Sequence, residues 1–587
     1  MASSDPRRHR TTLSQVVDLF QNASLEEEVM DFGSDEECSE DDGDNLEVEE
    51  ESDEELGSDD DDNHDDGLQG DEVLVSRDGK IQWKTSPGVT TGRRGAANVV
   101  TEKAGPPPNI HPDTLEAAFS LFLNDSCLQE MLLHTTEEAV QVLSAGERYE
   151  DFRPFSLEEF KAFLGLLLII GVTKGRNESL DQLWGDEWGR PFLRTTMSMA
   201  RFKEYLRFIR FDDKATRDQR RPTDKLAAIR DVADMLAAKC KDCYRLSDHV
   251  TVDEMLSSYR GKCPFRVYIP SKPAKYGFKI WIVADVPTAY CGFFQVYLGK
   301  TGSAPEKNQG SRVVKDLCQH MYDSGRNVTM DNLFTDVTLA QDLLQRKMTI
   351  VGTMRKSRAA IPREMLPDRH REVTSSLFGF HDQMTIVSYV PKKNKSVVLL
   401  STMHHDDKIS LADDKKPDII LNYNSTKGAV DTLDKMCRQY STKRGTRRWP
   451  LSLFYSLLDI AAHNSSVVWF ACHPEWQRGF KDRRRQFILE MGKALCLPFV
   501  QSRRNNPAIC YQPQVKRALE YLGMPPPKRS VVAHHEDRCR GRCYRCNRLK
   551  EMKVNNKCEK CGRFVCGSHG DKKTVYTCKV ECDNDDV

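Results

Sequence analysis

Three acids in this 587-residue chain stand where folding could gather them. Asp253 closes the β-branched run His249-Val-Thr-Val-Asp253, and Asp331 closes Asn327-Val-Thr-Met-Asp331. Asp431 falls in a helical pattern from Lys427 to Tyr440, and Asp434, three residues on, faces the same side of that helix. Carboxylates clustered in a folded site repel one another, and a cation is the usual neutraliser. Hard oxygen ligands suit magnesium or manganese. Two such ions about 3.5–4 Å apart can activate a water or hydroxyl and stabilise the leaving 3′-oxygen of a phosphodiester. Acids at strand ends also cap helices or pair with lysine, so spacing alone leaves the role open. Cations crowd these positions: Arg260, Lys262, Arg266, Lys272 and Lys275 after the first acid, Arg355 and Lys356 beyond the second. Lys427 precedes the third, and Arg444, Arg447, Arg448 and Trp449 follow it. Such residues suit phosphate tracking, although a generic basic surface reads the same way.

A second chemistry sits at the C-terminus. Eight of the 19 cysteines fall in the last 49 residues, with His569 among them. The run is Cys543-x2-Cys546-x11-Cys558-x2-Cys561-x4-Cys566-x2-His569-x8-Cys578-x3-Cys582. Close pairs place two ligands on one tight turn, which tetrahedral zinc requires. Four pairs supply eight ligands, enough for two structural zinc ions. An interleaved brace would use Cys543, Cys546, Cys566 and His569 for one ion and Cys558, Cys561, Cys578 and Cys582 for the other; sequential pairing is the alternative. Arg542 and Arg545 lie among the first ligands and could contact phosphate. The isolated pair Cys240-x2-Cys243 reads as structural.

These residues need scaffolding. Residues 1–105 read as a disordered acidic region. Residues 106–248 carry apolar residues at helical spacing, and Ser156-Leu-Glu-Glu159 reads as a capping box ahead of the apolar run Ala162–Val172. Trp184 and Trp188 read as core anchors. From 249 the pattern turns to strands, including Lys279–Ala284 and Gly292–Leu298 as an antiparallel pair, then a strand, a helix over Thr338–Leu344 and a strand at Met348–Gly352. That order describes a mixed sheet flanked by helices, an α/β core over 249–357. Residues 358–417 read as a β-rich insertion, 418–440 as the return to the core, 441–530 as a second helical part, and 539–582 as the cysteine-rich domain.

Formal net charge is −2, but 27 acids and no Lys or Arg lie between Thr11 and Ser76, leaving 61 acidic against 86 basic residues elsewhere. A body this basic points to nucleic acid. Four Ser-acid-acid-acid repeats, starting at Ser34, Ser39, Ser52 and Ser58, would suit an acid-directed kinase. No secretory signal or membrane-length apolar run is apparent, so a soluble intracellular chain with reduced cysteines is expected. Lys481–Arg485 and Pro525–Arg529 read as nuclear import signals.

Three blocks carry a family resemblance. Thr251-Val-Asp-Glu-Met, with Tyr259-Arg-Gly-Lys-Cys-Pro-Phe-Arg-Val-Tyr-Ile-Pro-Ser-Lys-Pro-Ala-Lys-Tyr-Gly277, resembles the first catalytic block of piggyBac transposases. Thr329-Met-Asp-Asn-Leu-Phe-Thr335 resembles the second, and Tyr423-Asn-Ser-Thr-Lys-Gly-Ala-Val-Asp-Thr-Leu-Asp-Lys-Met436 the third. The resemblance spans about 110–582. It implies a ribonuclease-H-like core with a catalytic triad at Asp253, Asp331 and Asp431, and Asp434 as an additional metal ligand. It further implies a split helical dimerisation and DNA-binding domain, the crossed zinc arrangement in the tail, and a homodimer acting on double-stranded DNA in the nucleus. The implied reaction is cut-and-paste transposition: a nick at the transposon end, a hairpin, its opening, and joining into TTAA targets. Two alternatives stay open: a domesticated relative that binds DNA without cutting it, and a chromatin reader built on the zinc module.

Overall fold

The computed structural model describes residues 47–48, 73–88, 99–144, 152–270, 272, 274–299, 306–527, 540–547 and 553–572. The kinase repeats, the signal at 525–529 beyond its first three residues, Cys578 and Cys582 lie outside the described residues.

A mixed sheet carries the molecule. Its strands are β1 (Val73–Val75), β2 (Gln82–Lys84), β3 (His249–Ser258), β4 (Val267–Tyr268), β5 (Tyr276–Asp285), β6 (Cys291–Val296), β7 (Asn327–Met330), β8 (Thr349–Thr353), β9 (Ser376–His381), β10 (Met384–Lys392) and β11 (Lys395–Ser401). They run in the order β4-β5-β3-β7-β8-β11-β10-β9-β2-β1, with β6 also pairing β5. β3, β5 and β6 are antiparallel, whereas β3–β7 and β7–β8 are parallel. The helix Val337–Gln345 makes the crossover between β7 and β8. The central strands are buried on both faces, which is why they read as apolar runs more than as alternation.

Three expectations change here. The segment 358–417 is not a separate β unit: β11 pairs β8 through Leu399↔Thr353 and Leu400↔Gly352, so β9, β10 and β11 extend the same sheet. A second apolar core, with Phe378, Val387, Leu399 and Ile419, forms beneath this extension. The reading of 1–105 as disordered fails for 73–86, where β1 and β2 form a hairpin on β9. Trp83 is fully buried there, and Arg77 donates to the carbonyls of Lys356, Arg358 and Ile361. The segment lies beyond the acidic run, with Asp78 its only acid beside Arg77, Lys80 and Lys84, so no like-charge repulsion opposes burying its aromatic against the sheet. β3 also runs past Asp253 to Ser258, so that acid lies within a strand and does not end it.

The two helical parts pack together across the core sequence. Helix α1 (Leu157–Val172) lies on helix α2 (Arg483–Arg504). A Cβ on Gly165 would come within 2.5 Å of the Gly492 carbonyl oxygen, so glycine permits the close crossing. Ser156 does cap α1, accepting the Glu159 N–H at 3.2 Å. The other half of the capping box is missing, because the Glu159 carboxylate is taken by buried Arg201 at 2.8 Å. Trp184 is buried and donates to the Met197 carbonyl, as a core anchor does. Trp188 is instead 80% exposed. Cys240 and Cys243 are buried in the core, and Cys240 receives a hydrogen bond from Asn464.

Candidate active site and metal centres

The sheet register places two of the acids side by side. β3 and β7 are parallel with Val252 opposite Met330, so the next residues, Asp253 within β3 and Asp331 just past the end of β7, come side by side. Carboxylate oxygens of Asp253, Asp331 and Glu254 all lie within 4.8 Å of one another. Burial, then the charges of Glu254 and Asp331, push the Asp253 carboxyl up to about 8. Acids this crowded favour either protonation or a cation, and an all-oxygen donor set fits a hard divalent ion.

Asp431 reaches the site by another route. The helix Asp418–Thr426 is tied to both acid-bearing strands at its last residue: Thr251 Oγ1 donates to the Thr426 carbonyl at 2.5 Å, and Thr329 Oγ1 meets Thr426 Oγ1 at 2.7 Å. Thr251 and Thr329 stand two residues before Asp253 and Asp331, on the same sheet face as those acids. Helix α3 (Ala429–Gln439) then begins over that face and packs on β3 and β5. Asp431 sits exposed in its first turn, outside the tight cluster. Lys272 bridges the two groups: burial works against its charge, but Glu254, Asp253 and Asp431 together raise its pKa. Asp434 is largely buried and paired with Arg438 on its own helix, so its carboxylate already has a cation. Burial still raises its pKa, with Asp431 adding to the effect.

Sequence reasoning missed two residues. Glu254 belongs to the carboxylate cluster, although only its adjacency to Asp253 hinted at it. Tyr423 is mostly buried beside the acids, where burial and the charges of Asp331 and Asp253 raise its pKa. Lys427 lies over its ring at 5.4 Å.

The predicted phosphate contacts divide into two groups. Arg260, Lys262, Lys275, Arg355, Lys427 and Arg447 are exposed, with Arg266, Lys272 and Lys356 half-buried. Arg355 reaches Asn332, next to Asp331, at 3.3 Å. Three others hold the fold instead. Arg444 donates to the carbonyls of Gly175 and Glu178, and Arg448 to those of Leu206, Arg207 and Ile209. Trp449 meets Phe265 edge-on at 5.0 Å. Guanidinium forks satisfy several carbonyls at once, a use that a basic motif in sequence does not distinguish from phosphate binding.

In the tail, Cys543, Cys546, Cys566 and His569 converge. Cys546 and Cys566 sulfurs are 3.6 Å apart, and His569 Nδ1 lies 3.8, 3.5 and 3.2 Å from the sulfurs of Cys543, Cys546 and Cys566. Tetrahedral zinc bonds of 2.0–2.3 Å put ligand atoms about 3.5–3.8 Å apart, so this donor set fits zinc. Backbone N–H groups of Cys566, Arg545 and Cys546 hold the Cys543 thiol down to about 6, favouring the thiolate that zinc requires. These ligands skip over Cys558 and Cys561, which form their own turn through Cys558 N–H to the Arg563 carbonyl and Gly562 N–H to the Cys558 carbonyl. Arg542 and Arg545 are exposed on this module.

Comparison with known proteins now decides the family. The transposase IS4 profile matches residues 116–466. A solved piggyBac transposase synaptic complex with hairpin DNA is 33% identical, with a TM-score of 0.64, covering 80% of this chain and 98% of that one. The chain belongs to the piggyBac family of transposases. Among human relatives, piggyBac transposable element-derived protein 3 is 21% identical over 339 residues, and so is a chimeric ERCC6-PGBD3 protein. This chain spans 54% of the first and 30% of the second. The mixed sheet, the split helical part and the cysteine module are those of a piggyBac-type, ribonuclease-H-like fold. Among the described residues no helix is long and apolar enough to cross a membrane.

Proposed function

We propose that this piggyBac family member is an active DNA transposase whose catalytic residues are Asp253, Asp331 and Asp431. The observation that carries the reading is the parallel register that sets Asp253 and Asp331 side by side under a helix bearing Asp431. Two magnesium or manganese ions held by these acids, with Asp434 as a further ligand, would supply an activated nucleophile and charge for the leaving 3′-oxygen. The rest falls to the chain. Exposed Arg260, Lys262, Lys275, Arg355 and Lys427 would hold the phosphate backbone, and Lys272 screens the carboxylates from one another. Helix–strand ties at Thr426 fix the third acid against the first two.

The proposed sequence is hydrolytic nicking of the transposon end, attack by the freed 3′-hydroxyl on the opposite strand to give a hairpin, opening of that hairpin, and joining at TTAA. The solved relative was captured with hairpin DNA, which supports this order. A homodimer in the nucleus, with the zinc module gripping end DNA through Arg542 and Arg545, completes the reading. Human relatives described as transposable element-derived favour one second reading, a protein that binds DNA without cutting it. Incubation with transposon-end DNA and manganese separates them. Nicks and hairpins that disappear in Asp331→Asn support catalysis; end binding without any nick in the wild type overturns it.

A further inference from the structure

Glu254 has no role in the triad, yet it is the most enclosed of the acids at the site, at 7% exposure. Its Oε1 lies 3.6 Å from Lys272 Nζ, whereas its Oε2 is buried and has no hydrogen-bond partner among the described residues. A buried carboxylate oxygen left unbonded is costly, and folded proteins rarely tolerate one without a reason. Consecutive strand residues ordinarily point to opposite faces. Here, however, oxygens of Asp253, Glu254 and Asp331 fall within 4.8 Å of each other. The pairing gives room for this. β7 ends at Met330, opposite Val252, so from Asp253 onward β3 is paired on one side only, Asp253 with Ile282 and Glu254 with Trp281. The open side lets both carboxyl groups approach Asp331.

We propose that Glu254 is a metal-binding residue of this centre, its Oε2 taking the divalent cation held by Asp253 and Asp331 while Lys272 holds its other oxygen. The inference rests on the reading that these acids bind a divalent ion. It gives the unbonded oxygen a partner whose chemistry suits it, a hard cation shared with two neighbouring carboxylates. The competing account makes Glu254 a buried ion-pair partner of Lys272 and nothing more.

Manganese binding to the zinc-loaded full-length chain, free of DNA, distinguishes the two. Free manganese is counted by electron paramagnetic resonance for wild type, Glu254→Gln, Glu254→Asp and Asp253→Asn, and melting in EDTA reports folding separately. Glu254→Gln is expected to weaken the tightest manganese site by about tenfold or more, since even indirect partners of a metal centre are worth that much. Glu254→Asp keeps the charge on a shorter arm and should fall between, so the test stands even where Glu254→Gln does not fold. Wild-type affinity in both Glu254 variants, with loss in Asp253→Asn, leaves Glu254 as a partner of Lys272 and overturns the proposal. A wild type that binds no manganese, and is indistinguishable from Asp253→Asn, removes the metal reading beneath it and the proposal together.

Discussion

The acid cluster and the cysteine module are both built to hold ions, but the order of cause differs. Around Asp253 and Asp331 the fold comes first: a ten-residue strand, a parallel neighbour and a helix packed on the sheet set the acids. Among the described residues of the tail the paired strands are two dipeptides, Gly541–Arg542 and Lys553–Val554, with Phe564 as the main buried apolar residue. So little apolar burial cannot offset the entropy of ordering the segment. There the ligands must do the folding. The same contrast appears in ligand choice: oxygens that repel until neutralised in one place, sulfurs with one thiol, Cys543, held down by backbone N–H groups in the other.

The largest expected effect breaks the tail alone. Stripping zinc, or Cys566→Ser, should unfold the module, since structural zinc contributes an apparent 10–16 kcal/mol or about that in small zinc domains. Limited proteolysis should then cut within 540–572 while the melting transition of the body stays in place. A body that melts with the tail would dissolve the distinction. Conversely, Asp331→Asn should lower nicking by about a thousandfold or more, because metal-assisted charge stabilisation is worth several kcal/mol, yet leave the body's melting temperature at or above wild type by relieving repulsion with Asp253 and Glu254.

Much of the catalytic half was legible because its signals are local. β-branched runs ending near acids, the helix between β7 and β8, and the antiparallel pair β5–β6 all follow from periodicity. The close approach of Asp253 and Asp331 needed only the parallel pairing. What escaped depends on distant partners. Arg444 and Arg448 look like a phosphate grip in sequence and turn out to hold carbonyls more than 200 positions away. Glu159 fits a capping box until Arg201 competes for it. The hairpin at 73–84, just past the acidic tract, is hard to see in sequence because its stability comes from β9 and from carbonyls of 356–361. Trp83→Ala should therefore cost about 3–5 kcal/mol locally, as for other fully buried aromatics. Hydrogen exchange should accelerate at 73–84 and 376–381 and leave β3 and β7 protected; exposure of β3 as well would mean that the extension and the catalytic sheet are one cooperative unit.

The smallest effect tests whether the fold-first account extends to the third acid. Thr329→Val removes the hydroxyl that meets Thr426 Oγ1, but Thr426 keeps its bond to the Asn422 carbonyl at 2.8 Å and its carbonyl keeps Thr251. Loss of the hydroxyl pair, together with the longer bond that Thr329 Oγ1 accepts from Asn327 Nδ2 at 3.4 Å, should cost about 1–2 kcal/mol of stability. Valine is nearly the same shape, so Asp331 two residues on should keep its place, and manganese affinity should hold. If the tie at Thr426 positions Asp431, nicking should fall more than stability alone explains, because a misplacement of about 1 Å at a reacting centre can cost a hundredfold. Full activity in Thr329→Val, with the expected loss of stability, would show that the packing of α3 on β3 and β5 sets Asp431 without the hydroxyl pair. Loss of manganese binding along with activity would move the fault to Asp331 itself, and the cation would then share in ordering this site as zinc does in the tail.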